Sequence, residues 1–115
     1  MTKEILKEKA CAAIDAYADK IKAICASIND EPELGFKEVK TAAKVAEFMR
    51  GLVLEPQTGL AINGVKGRAK GGKPGPTAAV LGELDAVGCA TSPKADPATG
   101  AAHACGHNLQ ISTML

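Results

Sequence analysis

The 115-residue sequence carries 14 Lys and Arg against 13 Asp and Glu, a formal net charge of +1, with 46% hydrophobic and 23% charged residues. That composition belongs to a globular chain of about one domain and excludes disordered, collagenous and membrane-spanning classes. Near-neutral charge also argues against nucleic-acid and membrane-surface partners, which call for a basic excess, and with Tyr17, Phe36 and Phe48 as its aromatic residues the core is aliphatic and small.

The amino terminus runs straight into charged, helix-like sequence, so no signal peptide is predicted and the protein is expected in the cytoplasm. From Lys3 to Ile28 apolar residues recur at Ile14, Tyr17, Ile21, Ile24 and Ile28. This three-four alternation predicts a helix with one buried stripe. It should stop before Pro32, which disfavours helix in the residue ahead of it. A second helix is predicted over residues 37–50, with Val39, Ala42, Ala43, Val45, Ala46 and Met49 on its apolar side and Gly51 as its stop.

Beyond Gly51 the pattern changes to short apolar runs broken by Gly and Pro. Residues 59–65 and 77–84 read as two strands joined by the polar turn Gly71 to Pro76. The second run does not alternate, which suits an inner strand covered on both faces. It leads to Asp85, at the kind of strand end beyond which open α/β sheets place their chemistry. A loop over residues 88–102 follows, and residues 109–115 open a final helix. The predicted class is therefore α/β, two helices followed by strands and the start of a third helix, without an internal repeat or a dividing linker.

Gly67 to Lys73 satisfies the GxxxxGK spacing of a phosphate-binding loop, but Pro74-Gly75-Pro76 supplies neither the hydroxyl for magnesium nor a helix start. Nucleotide binding is not expected. The basic residues Lys66, Arg68, Lys70 and Lys73 have no interleaved aromatics and read as a solvated loop. Of the four cysteines, Cys11 and Cys25 fall in the helix pattern and are expected to be buried as small apolar residues; all four read as reduced thiols.

The segment His103-Ala104-Cys105-Gly106-His107-Asn108 holds both histidines and a cysteine within five residues. In an extended backbone, positions 103, 105 and 107 share one face, so a thiolate and an imidazole can reach the same ion. Those are ligands zinc prefers, and two or three of them with an open position suit a catalytic site. The plain alternative is a strand-to-helix turn with ordinary histidines and a packed Cys105. A carboxylate at Asp85, with Glu83 beside it, either orients a ligand histidine or is a strand-end acid facing water.

Taken together, Ile28-Asn29-Asp30-Glu31-Pro32-Glu33-Leu34-Gly35-Phe36 with Glu38 and Thr41, Thr58-Gly59, Gly75-Pro76-Thr77 leading to Glu83-Leu84-Asp85-Ala86-Val87, and the His-Ala-Cys-Gly-His string with Asn108 resemble the amino-terminal part of the aminoacylase-like dinuclear metallopeptidases and amidohydrolases. These enzymes split N-acyl amino acids, auxin conjugates, hippurate, aminobenzoyl-glutamate or certain dipeptides. The resemblance implies an incomplete catalytic domain over residues 1–115, part of a zinc-peptidase-like α/β/α fold. It implies two divalent ions, zinc or manganese, with Cys105 and His107 as ligands. Asp85 and His103 would stand behind them as neighbours. Asn108 occupies a position where the string often continues with Asp. The general-base glutamate and the remaining ligands are expected downstream, so no catalytic base is assigned among these residues and the 115 residues alone are expected to be inactive. A small-molecule N-acyl amino acid or dipeptide is the implied partner, and a homo-oligomer the implied full-length state. Two other readings stay open: a small His/Cys metal-binding module, and a noncatalytic interaction domain using the helical face around Ile14, Tyr17, Ile21 and Ile24.

Overall fold

The computed structural model describes residues 1–115. Helix α1 spans Lys3–Asp30 and α2 spans Val39–Gly51. Strands β1 (Gln57–Leu60) and β2 (Gly64–Lys66) form one antiparallel hairpin, β3 (Val87–Gly88) and β4 (Ala101–Ala102) another, and α3 runs over His107–Met114. The class is mixed α/β, with two helices, then short strands, then a third helix, and the stretch 88–102 expected as a loop begins in β3 and ends in β4.

The Thr2 hydroxyl accepts from the Ile5 amide and opens α1, satisfying one of the amides that a helix start leaves without a partner. The helix ends at Asp30, just before Pro32. Only its last turns reach the core: Ile28 is fully buried, Ile24 packs on the cluster, and Ile14 and Tyr17 are exposed. The stripe expected to be buried along the whole helix is therefore buried at one end, because α2 and α3 contact α1 there and its amino-terminal half lies against no other element. Cys11 is exposed and Cys25 half-buried for the same reason, which corrects the expectation that both are buried. Although α1 is 28 residues long, no helix is long and apolar enough to cross a membrane.

Helix α2 has no cap from its own N-cap residue, Glu38. Glu33 does that work from outside the helix: its carboxylate accepts from the amides of Lys40 (3.0 Å) and Thr41 (2.7 Å) and from the Thr41 hydroxyl (2.8 Å). An acid at a helix amino terminus also meets the positive end of the helix dipole. Glu38 is freed to accept from the Phe36 amide and, on its other oxygen, from Asn63 in the β1–β2 connection. The Pro-Glu-Leu-Gly-Phe stretch thus has a local structural role as the α1-to-α2 connector. Its Leu34 also forms a parallel bridge with Ala86, whose amide donates to the Glu33 carbonyl at 2.7 Å.

Ile28, Val45, Met49 and Ile111 form the core, with Leu54, Val65, Leu84 and Met114 packed around it. Two features differ from the sequence reading. Residues 59–65 are a hairpin rather than one strand: the chain reverses at Ala61 and Ile62, both with positive φ, and Gly64 passes so close to Leu60 that an added Cβ would lie 2.5 Å from the Leu60 carbonyl oxygen. Residues 77–84 form no strand. Val80 and Leu81 are exposed, since no neighbouring strand lies along either edge and an extended segment without a ladder has nothing to bury its side chains against. No helix follows the GxxxxGK spacing either, consistent with the rejected phosphate loop.

The exit of α1 is tied to α2 by charge. Lys44 and Lys40 donate to the two oxygens of Glu31 at 2.6 and 3.0 Å, and Lys44 also donates to the Ser27 carbonyl. Hydrogen bonds from Lys44 and then Lys40 lower the Glu31 pKa from the ordinary 4.5 to about 2. A depressed carboxylate contributes stability above its unfolded pKa and loses it as pH falls toward the folded value. Acid titration is therefore expected to weaken the fold between about pH 4.5 and 2, with Glu31→Gln flattening that leg. Because the pair is exposed, the effect should shrink in high salt; an identical acid leg in Glu31→Gln would contradict it.

Candidate metal centre

The β3–β4 hairpin and α3 together place the His-Ala-Cys-Gly-His string. Asp96 shapes the loop between the strands, its carboxylate accepting from the amides of Ala98 and Thr99 and from the Thr99 hydroxyl. These bonds, led by the Thr99 amide, hold the Asp96 pKa below the ordinary range. The chain leaves β4 at Ala102, turns at Ala104-Cys105, and enters α3 through Gly106 with φ of 90°. That left-handed conformation is strained for any residue with a Cβ. It also ends the extended geometry that one shared face for His103, Cys105 and His107 requires: His103 and Cys105 line a cavity between α1 and α3, whereas His107 meets Asp85 and Glu83.

His107, the first residue of α3, meets Asp85. Its Nδ1 lies 2.8 Å from the Asp85 carbonyl oxygen and 3.1 Å from Asp85 Oδ1. Its Nε2 lies 3.1 Å from Glu83 Oε2. The ligand-capable atoms of Glu83, Asp85 and His107 all fall within 4.8 Å of one another. The sequence offers Glu83 beside Asp85 as a carboxylate that orients a ligand histidine or faces water; the structure sets it against Nε2 of His107. The available signal was its position two residues before Asp85, which in an extended stretch puts both acids on one side. Gln110, one helical turn beyond His107, accepts from the Glu83 amide at 2.6 Å and donates to Glu83 Oε2 at 3.2 Å.

His103 and Cys105 lie outside this cluster. They line a cavity of about 670 Å³ between α1 and α3, shared with Ile21, Cys25 and Asn108. Cys105 is exposed. His103 is 8% exposed and neither ring nitrogen has a hydrogen-bond partner. Burial, then the nearby His107, lowers its pKa against a weaker opposing pull from Asp85. The ring is therefore neutral at pH 7, with a donor and an acceptor unmet. Unsatisfied buried groups are rare in folded proteins. Asn108 donates to Cys25 Sγ at 3.5 Å, a contact between α3 and α1.

The donor set fits a divalent metal. Nδ1 of His107 is engaged by Asp85, which fixes the ring and directs Nε2 outward, the arrangement that carboxylate and carbonyl partners give ligand histidines. Carboxylate oxygen and imidazole nitrogen are both ligand types of zinc and also suit manganese.

Comparison with known proteins gives a consistent picture. The chain is 32% identical over 114 residues to thermostable carboxypeptidase 2 of Saccharolobus solfataricus, a match covering 96% of this chain and 29% of that protein. It is 31% identical over 118 residues to the putative amidohydrolase YhaA of Bacillus subtilis, covering 100% of this chain and 28% of that protein. It is 30% identical over 95 residues to the N-acetylcysteine deacetylase of Bacillus subtilis, covering 76% of this chain and 24% of that protein. The chain thus spans less than a third of the length of the curated relatives it matches. No protein-family model and no solved structure matches it.

Proposed function

The chain belongs to the aminoacylase-like amidohydrolase and carboxypeptidase family, and on that premise we propose that residues 1–115 are the amino-terminal portion of a catalytic domain that hydrolyses the amide bond of N-acyl amino acids or dipeptides. The observation that carries this reading is the His107 ring held between Asp85 and Glu83 within a His-Ala-Cys-Gly-His string. Localisation in the cytoplasm and assembly as a homo-oligomer belong to the same proposal.

Two divalent ions, zinc or manganese, held in part by Cys105 and His107, would supply Lewis acidity toward the amide carbonyl and lower the pKa of the hydrolytic water. Asp85 orients the His107 ring by accepting from Nδ1, so that Nε2 keeps one direction and one tautomer. Gly106 sets the angle at which Cys105 and His107 leave the loop. His103 stands behind the site as a buried ring on the α1–α3 cavity. The layered α/β/α sheet of the family would give residues 77–84 the flanking strands they lack, turning an exposed apolar segment into an inner strand. The glutamate that moves the proton to the leaving amine, and the other ligands, are assigned outside these residues.

Prolonged chelation of the full-length polypeptide followed by zinc or manganese tests this function. Hydrolysis of N-acetyl amino acids should disappear on chelation and return with metal. Turnover that persists in metal-free protein would overturn the reading.

A further inference from the structure

The contact between His107 and Glu83 contains a chemical constraint. Nδ1 of His107 faces two oxygen acceptors of Asp85, at 2.8 and 3.1 Å, so Nδ1 carries the ring hydrogen. In the neutral ring Nε2 then carries a bare lone pair. That lone pair faces Glu83 Oε2 at 3.1 Å. Two lone pairs at that distance repel, so the contact calls for a shared cation, either a proton or a metal ion, and the ligand-capable atoms of Glu83, Asp85 and His107, all within 4.8 Å of one another, provide the geometry for a metal ion.

Resting on the metallohydrolase reading, we propose that Glu83 is itself a ligand of the metal centre, sharing with His107 Nε2 an ion that enters from solvent. At ligand distances of about 2.0–2.2 Å, a nitrogen-to-oxygen edge of 3.1 Å subtends roughly 90–102° at the ion, between octahedral and tetrahedral values. Gln110 is the positioning residue. Its carbonyl accepts from the Glu83 amide and its NH₂ donates to Oε2, and it rides on α3 one turn from His107, so a single helix face fixes both ligand atoms relative to each other. Glu83 is 62% exposed, which leaves an open approach for the ion. The resemblance assigns Cys105 and His107 as ligands within this segment; the proposal adds a hard oxygen donor to that soft-and-borderline pair, and with it a wider tolerance for manganese.

The test is a zinc titration of the full-length apoprotein in competition with a chromophoric chelator, with the cobalt(II) absorption spectrum as a second readout. Glu83→Gln keeps size and polarity while removing the anionic ligand. It should weaken zinc binding on the order of 10- to 100-fold and shift the cobalt bands. Gln110→Leu should move both readouts in the same direction by less. Zinc affinity and cobalt spectrum unchanged in Glu83→Gln, with metal lost in Cys105→Ala, would overturn the proposal and leave the metallohydrolase reading standing; the 3.1 Å contact would then be a proton-bridged ion pair. Wild-type protein that binds no zinc would overturn both.

Discussion

Replacing His107 with alanine in the full-length polypeptide is expected to reduce N-acyl amino acid hydrolysis by at least about 100-fold, the upper end of what losing even an outer-sphere partner does to metal sites. The ring is the junction of the candidate centre: Asp85 holds one nitrogen and Glu83 meets the other. Its removal leaves two carboxylates facing each other with no imidazole between them. Cys105→Ala is expected to act the same way, because an exposed thiol on the turn before α3 is not packed into anything that truncation would loosen. Cys11→Ala is the control. That thiol is exposed on the unpartnered half of α1, so turnover and metal content should match the wild type. Near-normal turnover in Cys105→Ala with metal retained would remove the thiol from the site.

The largest stability effect is expected at Ile28. Its side chain is fully buried beside Val45, Met49 and Ile111, where α1, α2 and α3 converge. Truncating a buried isoleucine to alanine loses transfer energy and leaves a cavity, together about 2–5 kcal/mol. Domains of this size have only about 5–15 kcal/mol in total, and here just 14 of 115 residues are buried. Ile28→Ala should therefore shift the urea midpoint far to lower concentration or abolish the cooperative transition. Ile14→Ala, on the same helix but 59% exposed, should change it little. Equal shifts for the two would mean that the amino-terminal half of α1 is covered in solution.

The three helices were legible because their signals are local. Apolar residues three and four apart, Pro32 after α1 and Gly51 at the end of α2 depend on the chain alone. Burial was less legible: the periodicity of Ile14 and Tyr17 states which face of α1 is apolar, and only the positions of α2 and α3 decide how much of it is covered. Residues 59–65 read as one strand rather than part of a hairpin, although Asn63-Gly64 is a turn signal, since the reversal falls on Ala61 and Ile62, residues that rarely adopt positive φ. Residues 77–84 show the converse limit. Their apolar run has strand composition, but a strand exists only with partners, and those are nonlocal.

The site divided in the same way. His103, Cys105 and His107 were found by clustering, and Asp85 by its place after an apolar run. The tie between Glu83 and Gln110 was not legible because neither residue type is rare and 27 positions separate them; what joins them is the packing of α3 beside the chain leading into β3. The local backbone mattered as much. Treating residues 103–107 as extended put three side chains on one face, whereas the left-handed Gly106 separates Cys105 from His107 and turns the imidazole toward the acids.

The central claim is that His107 Nε2 is a metal ligand of a hydrolase. Anomalous diffraction at the zinc edge from crystals of the metal-loaded, full-length polypeptide tests it directly. An anomalous peak is expected about 2.0–2.1 Å from His107 Nε2, with Asp85 still accepting from Nδ1. A zinc peak elsewhere in the molecule, with His107 Nε2 hydrogen-bonded to Glu83 and no ion beside it, would contradict it.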